Sequence, residues 1–266
     1  MYDTLIIGGG VAGVSAALTL RQRQKRCAIL SGDASESAIW PAARIDNYPG
    51  LPGIDGQEFM ARLLKQLAES GAELIHGRAS SILPLGESFG VAAGSDFFEA
   101  KSLILCTGVS RSGAYAGERE LLGRGVSYCV TCDGMLYRGK RTAVIGLTAE
   151  AEREAKLLSD MGCEVRLFTK RKKYVIIGED KVRALKTGDE EWPCEAVFIL
   201  RAASLPDALL PGLSMERAHI AVDRQMCTSI PGVFAAGDCC GEPYQLAKAA
   251  GEGNTAALSA CRYLER

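Results

Sequence analysis

The chain has 266 residues, enough for one large domain or two smaller ones with buried cores. Its 47% hydrophobic and 24% charged content fit an ordinary globular protein, and a net charge of −1 gives no global attraction to nucleic acid or a membrane surface. No apolar run approaches the length of a bilayer span, the first residues already read as a strand with no room for a signal peptide, and the ten cysteines are scattered and mostly single, unlike a secreted disulfide scaffold; a cytoplasmic protein is expected.

The first element is an apolar strand that runs into "GGGVAGVSAALTL" from Gly8. Gly8, Gly10 and Gly13 fit G-x-G-x-x-G between a strand and a helix start, the context that makes this short motif informative. Gly8 permits the tight turn, Gly10 admits a pyrophosphate and Gly13 lets helix and strand approach. The helix N-terminus then offers free N–H groups and a positive dipole end to phosphate. A second apolar strand, "CAIL" from Cys27, follows, but the acidic residue expected at its end is replaced by Ser31. Residues 56–72 place Phe59, Met60, Leu63, Leu64 and Leu67 on one helical face, ending near Gly71. "KSLILCTG" (101–108) reads as a buried strand. Cys27, Cys106 and Cys163 lie in apolar runs, where a free thiol serves as a small hydrophobe.

"GVSYCVTCDG" (125–134) then sets Cys129 and Cys132 in C-x-x-C beside Asp133. This spacing lets two sulfurs bond within one turn while the local backbone lowers one thiol pKa. The alternative, half of a zinc site, needs a second ligand pair. His76 and His219 are isolated and the adjacent Cys239 and Cys240 chelate poorly, so no metal is expected. Asp133 is either a solvated turn residue or a proton shuttle for thiolate exchange.

The strand–loop–helix frame recurs at "TAVIGLTAEAEREAKLL" (142–158). Both frames begin with Thr four residues before the first Gly, and both lead to another apolar strand, here "CEVRLF" from Cys163. The second frame is altered: Thr148 stands where a glycine would admit pyrophosphate, and Glu150 enters the first turn of the helix. A carboxylate about 4 Å from a phosphate charge costs roughly 4 kcal/mol at an effective dielectric of 20, about a thousandfold in affinity. Thr148 also suits an N-cap and Glu150 complements the helix dipole, so this loop reads as structural. The basic run "TKRKK" (169–173) is a solvated loop, a clamp for a 2′-phosphate or a docking patch for an acidic protein. "AVFIL" (196–200) is a buried strand, the strand at 233–236 ends at Gly237–Asp238, where a carboxylate can accept hydrogen bonds from a polyol, and the chain closes on a helix. A second polar segment converging on the ligand of the first loop suits FAD better than NAD. The fold expected is α/β with two Rossmann-like domains: a discontinuous one over 1–112 and 202–266, interrupted by a trimmed unit of about ninety residues over 113–201, with crossings near 111–113 and 201–204.

"IDNYPGLPGIDG" (45–56), "GVSYCVTCDG" and "PGVFAAGDC" together resemble the signatures of the low-molecular-weight thioredoxin reductases, in that family's order and across essentially the whole chain. The resemblance implies an FAD domain interrupted by an NADPH-type domain that carries the dithiol, and reduction of thioredoxin or a thioredoxin-like protein. It makes Cys129 the sulfur exposed to the partner, Cys132 the one facing the flavin and Asp133 the acid. It places FAD contacts at Gly8, Gly10, Ala12, Gly13, Asn47, Thr107, Gly108, Gly237, Asp238, Gln245 and Leu246, and a homodimer is the family expectation. The short second domain and altered second loop, with the sequence at 199–213 and 241–253, resemble the ferredoxin-dependent flavin branch. Reduced ferredoxin is therefore the expected donor. A compact NADPH-dependent reductase and a non-catalytic redox-sensing flavoprotein are the alternatives.

Overall fold

In a computed structural model, residues 1–109, 115–128, 130–147, 151–170, 172–200, 206–217 and 219–266 are described, Cys132 by its backbone. The chain divides into two compact units, one of Met1–Val109 with Leu209–Arg266 and one of Ser110–Ala208. The expected crossings at 111–113 and 201–204 lie largely outside the described residues.

The first unit opens with β1 (Tyr2–Ile7), α1 (Val11–Gln22), β2 (Cys27–Ser31), α2 (Gly56–Glu69), β3 (Glu73–His76), β4 (Ser81–Pro84), β5 (Phe89–Ala93) and the ten-residue β6 (Asp96–Leu105). Strands β3, β2, β1 and β6 pair in that order and parallel. The N-terminal half of β6 also pairs antiparallel with β5, which pairs with β4. Successive side chains along each strand alternate between the two faces, as the period of two requires. Ile6, Ile29 and Ile104 enter one core with α1, whereas Leu5, Ile7, Leu30, Leu103 and Leu105 enter the other. Between β1 and β6 the buried Thr4 and Ser102 hydroxyls satisfy each other at 2.9 Å, and Ser102 also donates to the Asp3 carbonyl.

The second unit contains β7 (Val126–Ser127), α3 (Val130–Asp133), β8 (Arg141–Gly146), α4 (Ala151–Asp160), β9 (Glu164–Phe168), β10 (Tyr174–Gly178), β11 (Val182–Thr187), β12 (Glu190–Pro193) and β13 (Ala196–Leu200). Its parallel sheet has the order β7-β13-β8-β9. Val144, Ala196 and Phe198 pack with Ala155 and Leu158 of α4 on one face. Ala143, Ile145, Val197 and Ile199 pack on the other with Tyr174, Ile176, Val182 and Leu185 of an antiparallel β10-β11-β12 meander. Both units are thus parallel-sheet α/β folds of the Rossmann type. The meander, absent from the sequence reading, fills the chain between β9 and β13.

After the short helix α5 (Pro206–Leu209) the chain forms the two-residue strands β14 (Met215–Glu216) and β15 (His219–Ile220), then β16 (Val233–Ala235) and the long helix α6 (Leu246–Leu264). Strand β16 joins the C-terminal half of β6 in parallel. Helix α6 lays Ala249, Gly253, Ala256, Ala257 and Ala260 into the core shared with Ala12, Ala16 and Ala17 of α1. Small side chains let the two backbones close, and polar clips hold the pair: Ser15 Oγ donates to the Ala250 carbonyl at 2.7 Å and Asn254 Nδ2 to Thr19 Oγ1 at 2.9 Å. Among the described residues no helix is long and apolar enough to cross a membrane.

A Cβ on Gly253 would lie 2.1 Å from the Ala12 carbonyl oxygen, a backbone atom that cannot rotate away. Gly253→Ala is therefore expected to destabilise the protein by about 1–3 kcal/mol, despite the better helix propensity of alanine. Equilibrium denaturation checks this.

Candidate functional site

In the first unit the end of β1, the start of α1, the end of β16 and the start of α6 form the candidate cofactor site. Gly8 takes φ +115°, and a Cβ there would collide with the Cys106 carbonyl oxygen at 2.2 Å. A Cβ on Gly13 would lie 1.9 Å from the Gly8 carbonyl oxygen, so the first turn of α1 sits directly on the loop. Gly10 differs. It is the N-cap of α1 with φ −75°, it provides no side-chain cap, and a Cβ there would meet no protein atom within 4 Å. No acidic residue occupies the first turn of α1, so its N–H groups and positive dipole end remain available to an anion. Ser31, where an acid is expected, holds the loop instead: its Oγ accepts from Gly9 N–H at 3.0 Å.

Sequence reading did not single out Glu36. It pairs with Arg78 through Oε2, while Oε1 is buried without a hydrogen-bond partner. The side chains of both residues close over Gly32, just past β2. An orphaned buried acceptor at this edge can receive a hydroxyl, the task expected of the absent acid. It lies five residues beyond the position where the motif would place it, inside the 3₁₀ turn Ala34–Glu36.

The other wall is built by a turn. Gly237 has φ +86°, and a Cβ there would come within 3.0 Å of Ala12 Cβ, so Gly237 and Ala12 meet at the loop. The 3₁₀ turn Asp238–Cys240 follows. Two residues of α6 that sequence reading also missed fix this turn. Glu252 accepts from Gly237 N–H at 2.9 Å, and Lys248 Nζ reaches Glu252 Oε2 at 3.0 Å and the Gly241 carbonyl at 2.9 Å. They sit four residues apart, one turn, and so share one face of α6. Burial chiefly pushes the Asp238 carboxyl above the ordinary carboxylate range; Lys248 opposes this and Glu252 adds to it. Gln245 is the N-cap of α6, and its Oε1 accepts from Asn47 Nδ2 at 2.8 Å, which brings the 45–56 loop to the helix start at Leu246. Thr107 and Gly108, with φ +67° at the latter, leave the end of β6. Gly8, Thr107 and Gly237, from distant parts of the sequence, therefore lie past the C-terminal ends of the parallel strands β1, β6 and β16.

In the second unit, Cys129 lies outside the described residues and Cys132 falls within α3. Ser127 Oγ donates to Asp133 Oδ2 at 2.7 Å. Tyr128, immediately before Cys129, donates through its hydroxyl to Glu118 Oε1 at 2.8 Å, and Tyr115 N–H donates to Glu118 Oε2 at 2.8 Å. Glu118 is fully buried. Past the dithiol, Met135 and Leu136 are exposed. Thr148, Ala149 and Glu150 of the altered loop lie outside the described residues. On its described sides, a Cβ on Gly146 would meet Ala151 Cβ at 2.4 Å, and α4 carries Glu152 and Glu154 in its first turn.

Comparison with known proteins follows the same lines. The pyridine nucleotide-disulphide oxidoreductase family matches residues 2–188 and 150–253. The thioredoxin reductase of Listeria innocua is 30% identical, over 100% of this chain and 94% of its own. Two crystal structures of a ferredoxin-flavin thioredoxin reductase from Clostridium acetobutylicum superimpose with TM-scores of 0.88 and 0.91, at 39% and 35% identity. They cover 99% of this chain and 97% and 98% of theirs. The chain belongs to the pyridine nucleotide-disulphide oxidoreductases, within which its homologues are thioredoxin reductases. These are FAD-binding flavoproteins, so it is an oxidoreductase of the flavin disulfide type.

Because Gly10 has open space and no φ strain, Gly10→Ala is expected to change apoprotein stability by no more than about 1 kcal/mol. FAD affinity is expected to fall about tenfold or more, as read by flavin fluorescence on dilution. Asp238 gives a pH test. A carboxyl whose folded pKa is raised contributes its stability below the unfolded value of about 3.9 and loses it as pH rises through the folded value. Asp238→Asn apoprotein is thus expected to be more stable than wild type at neutral pH, with the difference vanishing in acid. Denaturant titrations across pH check this.

Proposed function

We propose that this protein reduces the disulfide of thioredoxin or a thioredoxin-like partner through Cys129 and Cys132, and takes its electrons from reduced ferredoxin rather than NADPH. The observation that carries the choice of donor is the second frame. Its strand and helix are kept, but Gly146 is closed against Ala151 and the first turn of α4 bears Glu152 and Glu154. A helix N-terminus that binds pyrophosphate offers N–H groups to an anion, and these carboxylates oppose one. The C. acetobutylicum ferredoxin-flavin reductases, at 39% and 35% identity, support the same reading.

The residue roles are those that the family resemblance implies, set on the geometry described above. Gly8, Gly10 and Gly13 with the N–H groups of α1 would hold the FAD pyrophosphate, and Glu36 would take ribose hydroxyls. Asp238 would accept from the ribityl chain, and Asn47, Thr107, Gly108, Gln245 and Leu246 would line the rest of the site near Ala12 and Gly237. When bound, FAD supplies the conversion between single electrons and the electron pair a disulfide needs. By resemblance to the family, Cys132 is the sulfur that would exchange electrons with the flavin. The Cys129 thiolate attacks the partner's disulfide, Cys132 resolves the mixed disulfide, and Asp133, oriented by Ser127, carries the proton that exchange requires. Exposed Met135 and Leu136 offer the partner an apolar surface beside the dithiol. Exposed Lys170, Lys172 and Lys173, just beyond β9, offer an acidic donor a basic patch. Plant-type ferredoxins near −400 mV and thioredoxin near −270 mV leave about 130 mV, or about 6 kcal/mol for two electrons.

Anaerobic mixing of the oxidised flavoprotein with photoreduced ferredoxin is expected to bleach the flavin absorbance, whereas millimolar NADPH leaves it yellow. Rapid bleaching by NADPH would overturn the choice of donor. Cys132→Ser is expected to keep flavin reduction by ferredoxin and to lose turnover of the partner disulfide. Unimpaired turnover would overturn the assigned dithiol.

A further inference from the structure

The turn that carries Asp238 holds a second pair of cysteines. Cys239 and Cys240 are adjacent in a 3₁₀ turn, a geometry that usually sends neighbouring side chains in different directions, yet their sulfurs lie 3.9 Å apart. Cys239 is buried, and its thiol reaches the Leu105 and Ala236 carbonyls, each at 3.3 Å. Cys240 is half-buried and is the more accessible residue of the two. Hydrogen bonding by Cys240, with help from Thr107, lowers the Cys239 thiol pKa against its burial, and the same contact raises that of Cys240. The two thiols therefore share protons instead of ionising independently. The other buried cysteines assessed, Cys27, Cys106, Cys163, Cys194 and Cys261, are pushed up by burial as inert core thiols are.

We propose that Cys239–Cys240 is a second redox-active dithiol, separate from Cys129 and Cys132, which a low-molecular-weight disulfide closes to a vicinal disulfide. A proton moving along the Sγ–Sγ contact places the charge on Cys240 Sγ. The Cys240 thiolate attacks the reagent, breaking its S–S bond and expelling one thiolate. The Cys239 thiolate then attacks Cys240 Sγ, forms the Sγ–Sγ bond and expels the second. Two electrons pass to the reagent, and the two thiol protons leave with the two thiols released. Adjacent Cα atoms are about 3.8 Å apart, closer than the usual disulfide range of about 4.4–6.8 Å, so the closed form is strained and readily reduced. Closure also takes Cys239 Sγ from its carbonyl partners in the turn that Glu252 and Lys248 hold.

The test uses the FAD-loaded Cys129→Ser/Cys132→Ser protein, so that the C-x-x-C pair is silent, with oxidised glutathione as the probe. After denaturation in iodoacetamide, the peptide containing both cysteines is expected to be unalkylated and lighter by two hydrogens, and dithiothreitol should restore double alkylation. Cys240→Ser in this background is expected to abolish that species, and Cys239→Ser to trap glutathione on Cys240. Recovery of both cysteines alkylated, a stable glutathione adduct on Cys240 with Cys239 present, or a Cys106–Cys239 cross-link would each overturn the proposal. The readout is covalent mass alone, so it is independent of which donor reduces the flavin.

Discussion

The structure of the first unit depends on three close approaches of backbone to backbone. Gly13 brings α1 onto the Gly8 carbonyl, Gly8 fits under the Cys106 carbonyl and Gly253 brings α6 onto Ala12. Each approach excludes even a methyl group, so the end of β1, the exit of β6 and two helices are locked at one point. The N-terminus of α1 consequently has a fixed direction, and the turn at Gly237 has a fixed wall to lean on. The Glu252–Lys248 pair and the Asn47–Gln245 bond then need only orient side chains on a frame already set. Close packing of glycine and alanine makes the position exact at little side-chain entropy cost.

The second unit has the same strand–helix frame with the opposite outcome. Its Gly146 is filled by its own helix through Ala151, and the helix dipole is met by acidic side chains in the first turn. Acidic side chains there complement the helix dipole, typically by about 0.3–1 kcal/mol per charge. The same strand–helix frame thus leaves the start of α1 free of acidic side chains and sets two of them at the start of α4. In the second unit the braced residues are those around the dithiol. The buried Glu118 carboxylate ties Tyr128 to Tyr115, and Ser127 holds Asp133.

Much of the first site was legible in the sequence because glycine spacing, strand periodicity and helix start occur together over a few residues. Gly8, Gly10 and Gly13 announce themselves in this way, and Leu5, Ile6 and Ile7 divide between two cores as their alternation requires. Glu36, Lys248 and Glu252 were not legible. The first replaces an expected acid from a position five residues later, a register that only the path after β2 reveals. The other two act on a turn that precedes their helix, and a Lys–Glu pair one turn apart otherwise reads as surface charge. The meander at 174–193 escaped for another reason: its strands are four to six residues long, and only β10 buries alternate side chains cleanly.

Strand β6 carries a consequence for how the molecule is made. Its C-terminal half pairs on one side with β1, from the start of the chain, and on the other with β16, which emerges only after a second unit of about a hundred residues. Helix α6, which covers α1, comes later still. During vectorial synthesis the edge at Leu103–Leu105 and the alanine face of α1 are therefore formed long before their partners exist. An unpaired parallel edge is a template for the wrong strand. The nascent chain must wait in that state until the whole second unit has been made.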